Sequence, residues 1–264
     1  MIETAKKAAR EAGKVVVKHF GKISGSAVRK KARTDFVSFV DEQSEDTIIK
    51  IIRLKFPDHA ILAEESGTLD SDSPYRWIID PLDGTTNFLK SIPVFAISIA
   101  LEYNGSLIAG VIFDPIREET FWADRGRGAF LNEKQIYVSD TPKLSESFLA
   151  TGFPFKNKRF LKSYLNVFEK IFTECIGARR LGSAAIDLAY VASGRFDGFW
   201  EIGLKPWDIA AGALIIEEAG GKVTDFWGRS SYLENAYLIA SNGKIHKEIK
   251  TYVQEFFPYY QPVK

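Results

Sequence analysis

The 264-residue chain has one cysteine, Cys175, one methionine and three histidines. A single cysteine excludes an internal disulfide and suits a reducing compartment, so a cytoplasmic location is expected. Histidines and cysteines this few, none at zinc-like spacing, leave a zinc centre poorly supplied with ligands. Excess charge is also missing. Thirty-five Lys and Arg offset 34 Asp and Glu, and the net charge of +1 gives no global attraction for nucleic acid or an anionic membrane. Neither is expected as a partner. No run approaches the ~20 apolar residues of a membrane helix; the longest, around Val94–Leu101, is broken by Ser98 and reads as a buried strand. The opening residues carry Glu3, Lys6, Lys7, Arg10 and Glu11 where a secretory signal would have an apolar core, so no signal peptide is expected. Repeats and low-complexity segments are absent too. What remains is an ordinary globular balance, 45% hydrophobic and 26% charged, with core enough for one large domain or two lobes.

One stretch concentrates the chemistry: Trp77-Ile78-Ile79-Asp80-Pro81-Leu82-Asp83-Gly84-Thr85-Thr86-Asn87-Phe88. The apolar triplet reads as a buried strand. Pro81 forbids ordinary pairing, so the strand is expected to end there and the chain to turn. Gly84, the threonines and Asn87 are the vocabulary of a tight turn and a helix start. Asp80 and Asp83 then point at one place, beside backbone N–H groups suited to an anion. Carboxylates for a cation next to amides for an anion suggest a metal-assisted phosphate site. The run also invites comparison with haloacid dehalogenase-type phosphatases, which carry Asp-x-Asp-Gly-Thr with a nucleophilic first aspartate. Here the spacing is three rather than two, and that motif fails. A second sign lies upstream, where the apolar run Ala60–Ala63 enters Glu64-Glu65. Neighbours on a strand face opposite ways, so one of the pair is expected at the site unless the chain turns.

Elsewhere the patterns set out the architecture. Ile2 to about Phe20 is an amphipathic helix on Ala5, Ala8, Ala9, Ala12, Val15 and Val16, with His19 at its surface end. The basic cluster Val28–Arg33 reads as a solvated face. Asp41, Ser44 and Glu45 precede a helix carrying Ile48, Ile49, Ile51, Ile52 and Leu54, with Asp41 as its N-cap. Ser66–Pro74 reads as exposed and polar. Asn104-Gly105 predicts a hairpin between Pro93–Tyr103 and Leu107–Phe113, followed by strands at Glu119–Ala123 and Ala129–Leu131. The polar segment Ser139–Glu146 divides this mainly antiparallel lobe, about 1–140, from an α/β lobe, 141–264, within a single catalytic domain. The second lobe predicts strands at Phe148–Thr151 and Phe196–Trp200, and helices at Phe160–Phe172 (on Leu161, Leu165, Phe168 and Phe172), Ala184–Ser193 and Ile209–Ala219. Phe88 and Trp207 read as core aromatics.

Asp80-Pro-Leu-Asp83-Gly-Thr-Thr-Asn resembles the central motif of the inositol monophosphatase family of magnesium-dependent, lithium-sensitive phosphatases. Glu201-Ile-Gly-Leu-Lys-Pro-Trp207-Asp208-Ile-Ala-Ala-Gly with Glu218-Ala-Gly-Gly221 is similar to its second signature, and Glu64-Glu65-Ser66 to a third element. The likeness spans Asp35 to about Gly221, and Arg180-Leu-Gly-Ser-Ala-Ala is similar to the bacterial branch. The resemblance implies a stacked αβαβα sandwich of the inositol monophosphatase and fructose bisphosphatase type, and a cytoplasmic homodimer. It implies hydrolysis of inositol monophosphates by a metal-activated water, with two or three magnesium ions. Carried over by position, Glu64, Asp80 and the Leu82 carbonyl hold one ion and Asp80, Asp83 and Asp208 a second. A looser third sits near Glu64 and Glu65, the latter acting through water. Asp41 and Thr85 orient the attacking water, and Gly84 and Thr85 amides receive phosphate. Gly182, Ser183, Ala184 and Glu201 line the alcohol, and Lys30 could approach the phosphate. A second phosphate, as in fructose bisphosphate, would call on Arg180, Arg179 or Lys205. Members with regulatory partners in transcription leave a binding role as the other expectation.

Overall fold

The computed structural model describes residues 1–22, 28–32, 35–155 and 157–263, with 28–32 and 35–38 described by backbone only. The amphipathic helix α1 (Ile2–His19) forms as its spacing requires, burying Ala5, Ala8, Ala9, Ala12 and Val16. An antiparallel ribbon of β1 (Val28–Ala32) and β2 (Asp35–Ser38) leads into α2 (Phe39–Arg53). Lys30 falls in β1, and its side chain lies outside the described residues. The helix α2 begins at Phe39, so Asp41 sits inside its first turn and is not the N-cap; Asp41, Ser44, Glu45 and Ile48 share its buried face.

An eight-stranded sheet follows: β3 (Ala60–Ala63), β4 (Gly67–Leu69), β5 (Tyr75–Asp83), then the short helix α3 (Thr85–Leu89), β6 (Ala96–Tyr103), β7 (Ser106–Asp114), β8 (Glu119–Asp124), β9 (Ala129–Leu131) and β10 (Lys134–Ile136). Its spatial order is β10-β9-β8-β7-β6-β5-β3-β4, antiparallel except where β3 runs parallel to β5. The Asn104-Gly105 hairpin is present, both residues at positive φ, as its primed turn demands. Part of Ser66–Pro74, expected to be an exposed loop, is the edge strand β4, because the turn at Glu64–Ser66 folds the chain back onto β3.

The remaining elements are β11 (Phe148–Thr151), α4 (Leu161–Glu174), β12 (Gly177–Arg179), α5 (Ala184–Ala192), β13 (Gly198–Ile202), α6 (Pro206–Glu218), β14 (Lys222–Thr224), α7 (Tyr232–Asn235), β15 (Tyr237–Ser241) and α8 (His246–Phe256). Their sheet has the order β12-β11-β13-β15-β14, parallel around β11 and antiparallel on β15. On α4 the buried face is Tyr164, Val167 and Ile171, while Leu161, Leu165 and Phe172 are exposed. The expected stripe is therefore the wrong one. The apolar residues form one broad face, with Tyr164, Val167 and Ile171 along one edge and Leu161, Leu165 and Phe172 along the other, and packing against α8 goes with burial of the first edge.

Helices α5 and α6 are apolar on nearly every side, and such helices belong in an interior. They lie between the sheets, α6 against β5 to β8 and α5 against β13. With α1 and α2 outside one sheet and α4 and α8 outside the other, the layers read αβαβα, with a separate hydrophobic core at each interface. No helix among the described residues is long and apolar enough to cross a membrane. Small residues set the spacing of the central layer. A Cβ on Gly110 of β7 would lie 2.9 Å from the Ala211 carbonyl oxygen, and one on Gly212 of α6 only 2.5 Å from the Leu188 Cβ of α5.

Gly212→Ala should therefore push α5 from α6 and cost about 1–3 kcal/mol, seen as a lower midpoint in guanidinium unfolding at unchanged slope. His246 gives a pH signature. It is buried between the Thr224 and Ser241 hydroxyls, 2.9 Å from each, and burial, then Lys222 and Lys250, lower its pKa from 6.5 to about 4. Between those values the unfolded chain binds the extra proton. The contribution is complete above pH 6.5 and is lost as pH falls through about 4, up to about 3 kcal/mol. Unfolding curves at pH 7.5 and 4.5 should converge in His246→Asn relative to the wild type.

Candidate active site

Strand β5 organises the site, and it does not stop at Pro81. Asp80 pairs with Ser98 and Asp83 with Ala96, so β5 carries one residue more than β6 over this span. That is a bulge, the one place in a central strand where a proline without an N–H is tolerated. The Leu82 N–H, freed by the bulge, donates to Asp80 Oδ1 at 2.9 Å, and the Pro81 carbonyl accepts from Ser44 Oγ at 2.7 Å. The bulge brings Asp80 and Asp83 to the same cavity. Gly84 then turns the chain into α3 at φ +95°, and a Cβ there would lie 2.9 Å from the Val94 carbonyl oxygen. Only glycine fits.

Helix α2 supports this motif from behind. The Thr85 hydroxyl lies 3.1 Å from Asp41 Oδ1 and 3.0 Å from the Leu82 carbonyl oxygen. Glu45, one turn on from Asp41, accepts the Glu65 N–H at 2.9 Å and the Ser66 N–H at 2.8 Å, one on each carboxylate oxygen. It fixes the turn between β3 and β4, so Glu64 lines the cavity while Glu65 does not.

The far wall comes from the second sheet and the central helices. Asp83 Oδ2 accepts Ser183 Oγ at 2.6 Å and the Ala185 N–H at 2.7 Å, tying β5 to the start of α5. Ser183 also caps α5, through the Ile186 N–H. Its hydroxyl, expected at the substrate, is committed to Asp83. Asn87 holds the same loop, donating to the Leu181 and Val94 carbonyls at 2.9 and 2.8 Å. Asp208, in the first turn of α6, reaches back to the Lys205 N–H at 2.7 Å. Glu201, on β13, is seated against Gly152; any Cβ at 152 would fall 2.0 Å from its carboxyl group.

These elements enclose a cavity of about 580 Å³. Glu64, Asp80, Leu82, Asp83, Gly84, Thr85, Arg180, Gly182, Ser183, Ala184, Glu201 and Asp208 line it, as does Lys205; the half-buried Trp207 packs against the central core, as expected, and also lines the cavity. Phe88 is a core residue. Arg179 lies elsewhere, over the Phe148 ring. Burial, then the charges of Glu64, Asp83 and Asp208, push Asp80 well above the usual carboxylate range. Burial also raises Asp83, against the Ser183 and Ala185 hydrogen bonds and Arg180, and takes Glu201 to about 8. The donors facing the cavity are all oxygen on the acidic side, with no histidine or cysteine, a set that suits hard divalent ions. Among the described residues no group of three such side chains is drawn into a finished coordination sphere; Asp83 and Asp208 are turned to donors of the chain. Sequence reasoning missed Glu45, Asn87, Gly152 and Asp187 here, all of which look like ordinary helix, turn or strand residues until the chain is folded.

Glu45→Ala should leave two N–H groups at this turn without their charged acceptor and cost about 2–4 kcal/mol, measured by denaturant unfolding. Glu45→Gln should cost less, keeping one acceptor oxygen.

The inositol monophosphatase family model matches residues 1–256. A Pseudomonas aeruginosa relative called Nus factor SuhB is 44% identical over 263 residues, covering 98% of this chain and 97% of the relative. The crystal structure of extragenic suppressor protein suhB from Bartonella henselae superposes with a TM-score of 0.93 at 42% identity, covering 96% and 98% of the two chains. The structure of inositol monophosphatase from Anabaena gives 0.87 at 40% identity, covering 99% and 96%. The name Nus factor, carried by relatives matched over nearly their whole length, overturns the expectation that nucleic acid is excluded as a partner. A net charge of +1 sums the whole surface and cannot reveal a local contact patch. By fold and by sequence over nearly its full length, this chain belongs to the inositol monophosphatase family.

Proposed function

We propose that the chain is a magnesium-dependent phosphoric monoester hydrolase acting on inositol monophosphates, its two lobes, about 1–140 and 141–264, working as a single catalytic domain. The observation that carries this reading is the convergence of Glu64, Asp80, Asp83 and Asp208 on one cavity, where burial, then the charges of the other three, raise the pKa of Asp80. Like charges held this close cost stability unless a cation offsets them. Glu64, Asp80 and the Leu82 carbonyl would hold one ion, Asp80, Asp83 and Asp208 a second, with a third near Glu64 and Glu65. Bound there, magnesium offsets phosphoryl charge and acidifies water.

The chain's own groups do the rest. Thr85 Oγ1, between Asp41 Oδ1 and the Leu82 carbonyl oxygen, orients the attacking water and passes its proton toward Asp41. Gly84 and Thr85 N–H groups meet the phosphate oxygens. Glu201, protonated at neutral pH, presents a carboxyl group to a substrate hydroxyl, with Gly182 and Ala184 beside it. Water is the nucleophile, so Asp80 is never phosphorylated. The homodimer, lithium inhibition and a cytoplasmic location belong to the same reading. Fructose bisphosphate is its extension, resting on Arg180 and Lys205 at the cavity.

Phosphate release from inositol monophosphate is expected to require magnesium and to stop in excess chelator. Changes around metal ligands cost ~10–100-fold, so Asp83→Asn should cost more. Rapid quench with labelled substrate should leave the protein unlabelled; turnover in chelator, or label on Asp80, would defeat the reading. Gly152→Ala should displace the Glu201 carboxyl and lower kcat/KM about 10- to 100-fold, checked by steady-state kinetics on the folded variant.

A second reading, a regulatory role in transcription, is favoured by the name Nus factor SuhB among the relatives. Recovery of transcription components on the immobilised protein, undiminished in Asp83→Asn, supports it; no recovery with either form removes it.

A further inference from the structure

A second cavity, of about 450 Å³, lies behind the loop 203–206. Its origin is geometric. Helix α6 packs over β5 to β9, and the inner face of the first sheet outruns it at β3 and at the start of β5. Leu62 and Ile78 form an apolar floor there, and Arg76 stands directly opposite Glu102 of β6. Leu233 and Glu234 of α7, with Tyr260 beyond α8, supply the roof. None of these floor and roof residues lines the main cavity. The gap has the volume of a small-molecule site and the usual lining of one, apolar with a few polar groups.

The charges on its wall indicate the ligand. Arg76, its side chain 43% exposed, pairs with Glu102 at 2.9 Å through Nη2 alone. Lys205 and Glu234 are exposed, and neither has an ion-pair partner among the described residues. The wall thus offers one uncommitted cation and one uncommitted anion beside an apolar floor. A phosphate ester would bring further negative charge to Glu102 and Glu234, with too little cation to offset it. We infer that this cavity is a second binding site, taking a small zwitterion with an apolar side chain, the chemistry of an apolar α-amino acid. Its carboxylate meets Lys205 and Arg76, its ammonium meets Glu234, and its side chain covers Leu62 and Ile78. Gly203, Leu204 and Lys205 line both cavities. The Gly203 N–H donates to the Ala236 carbonyl at 2.7 Å on one side, and the Lys205 N–H to Asp208 Oδ2 at 2.7 Å on the other. An occupant packed against this loop steadies Asp208 at the main cavity, so the two sites are coupled.

The probe is L-leucine, titrated by calorimetry into the whole chain in chelator. Isopentylamine, isocaproate and glycine are its counterparts without carboxylate, ammonium and apolar side chain. L-Leucine should bind. Isopentylamine, deprived of Arg76 and Lys205, should bind about 10-fold more weakly, and so should glycine, by about 10-fold. Isocaproate should lose about two- to fivefold, because Glu234 is exposed. In Glu234→Gln, a surface change that leaves the packing alone, L-leucine and isocaproate should bind alike. No binding of L-leucine to the wild type, equal binding of L-leucine and isopentylamine, or a leucine-to-isocaproate ratio unchanged in Glu234→Gln would each overturn the site. Saturating L-leucine should also lower KM for inositol monophosphate about fivefold; an unchanged KM overturns the coupling. If the wild type cleaves no ester, the phosphatase reading fails, and calorimetry still decides the second site.

Discussion

Asp83 holds the site together physically. Its carboxylate accepts from the Ser183 hydroxyl and the Ala185 N–H, so the end of a strand in the first sheet is bound to the first turn of a helix in the central layer. The residues before and after this link are each an incomplete set: Glu64, Asp80 and Thr85 on one side, Arg180, Glu201 and Asp208 on the other. The hydrogen bonds of Asp83 and Asn87 span that divide and are strong in a buried setting, where the alternative is an unpaired polar group.

The central layer provides the stiffness those bonds require. α5 and α6 are packed closely enough that glycine is needed where they touch each other and the first sheet. Close packing transmits small displacements, and both helices place polar residues at the cavity from their first turns. Stability and chemistry pull against each other at this point. The apolar helices supply a large buried surface, while Asp80, Asp187 and Glu201 are carboxyls desolvated within it, each raised by burial first, with neighbouring carboxylates adding to it and, at Asp187 and Glu201, Arg180 opposing it. Groups so shifted, around one cleft, are more typical of function than of scaffolding.

Several elements show where a linear reading succeeds and where it stops. The Asn104-Gly105 hairpin and α1 are set by local rules, turn conformation and helical spacing, and they formed as expected. Pro81 misled, because a proline that ought to end a strand was absorbed by a bulge whose existence depends on the partner β6. The α4 stripe misled for a similar reason. Its apolar face is broad, and which edge of that face is buried is decided only by packing against α8. Beyond Gly221, where no element is expected above, the chain forms β14, α7, β15 and α8, the last an amphipathic helix that buries His246, Ile249 and Val253.

By itself the sequence determined the chemistry on offer: oxygen donors in place of sulfur or imidazole, a three-residue aspartate spacing, and glycine where Gly84 must turn. These are fixed by residue type and by distance along the chain, and no packing is needed to know them. Only the tertiary structure decided that Glu45 clamps the Glu64–Ser66 turn, that Gly152 makes room for Glu201, and that Asp187 faces the same cavity as Asp83. Those relations join residues tens of positions apart. The first joins an outer helix to a turn of the first sheet, and the second joins the ends of two neighbouring strands. The third arises because burying two apolar helices between two sheets brings their first turns to one cleft, a contact that neither helical period nor strand alternation encodes.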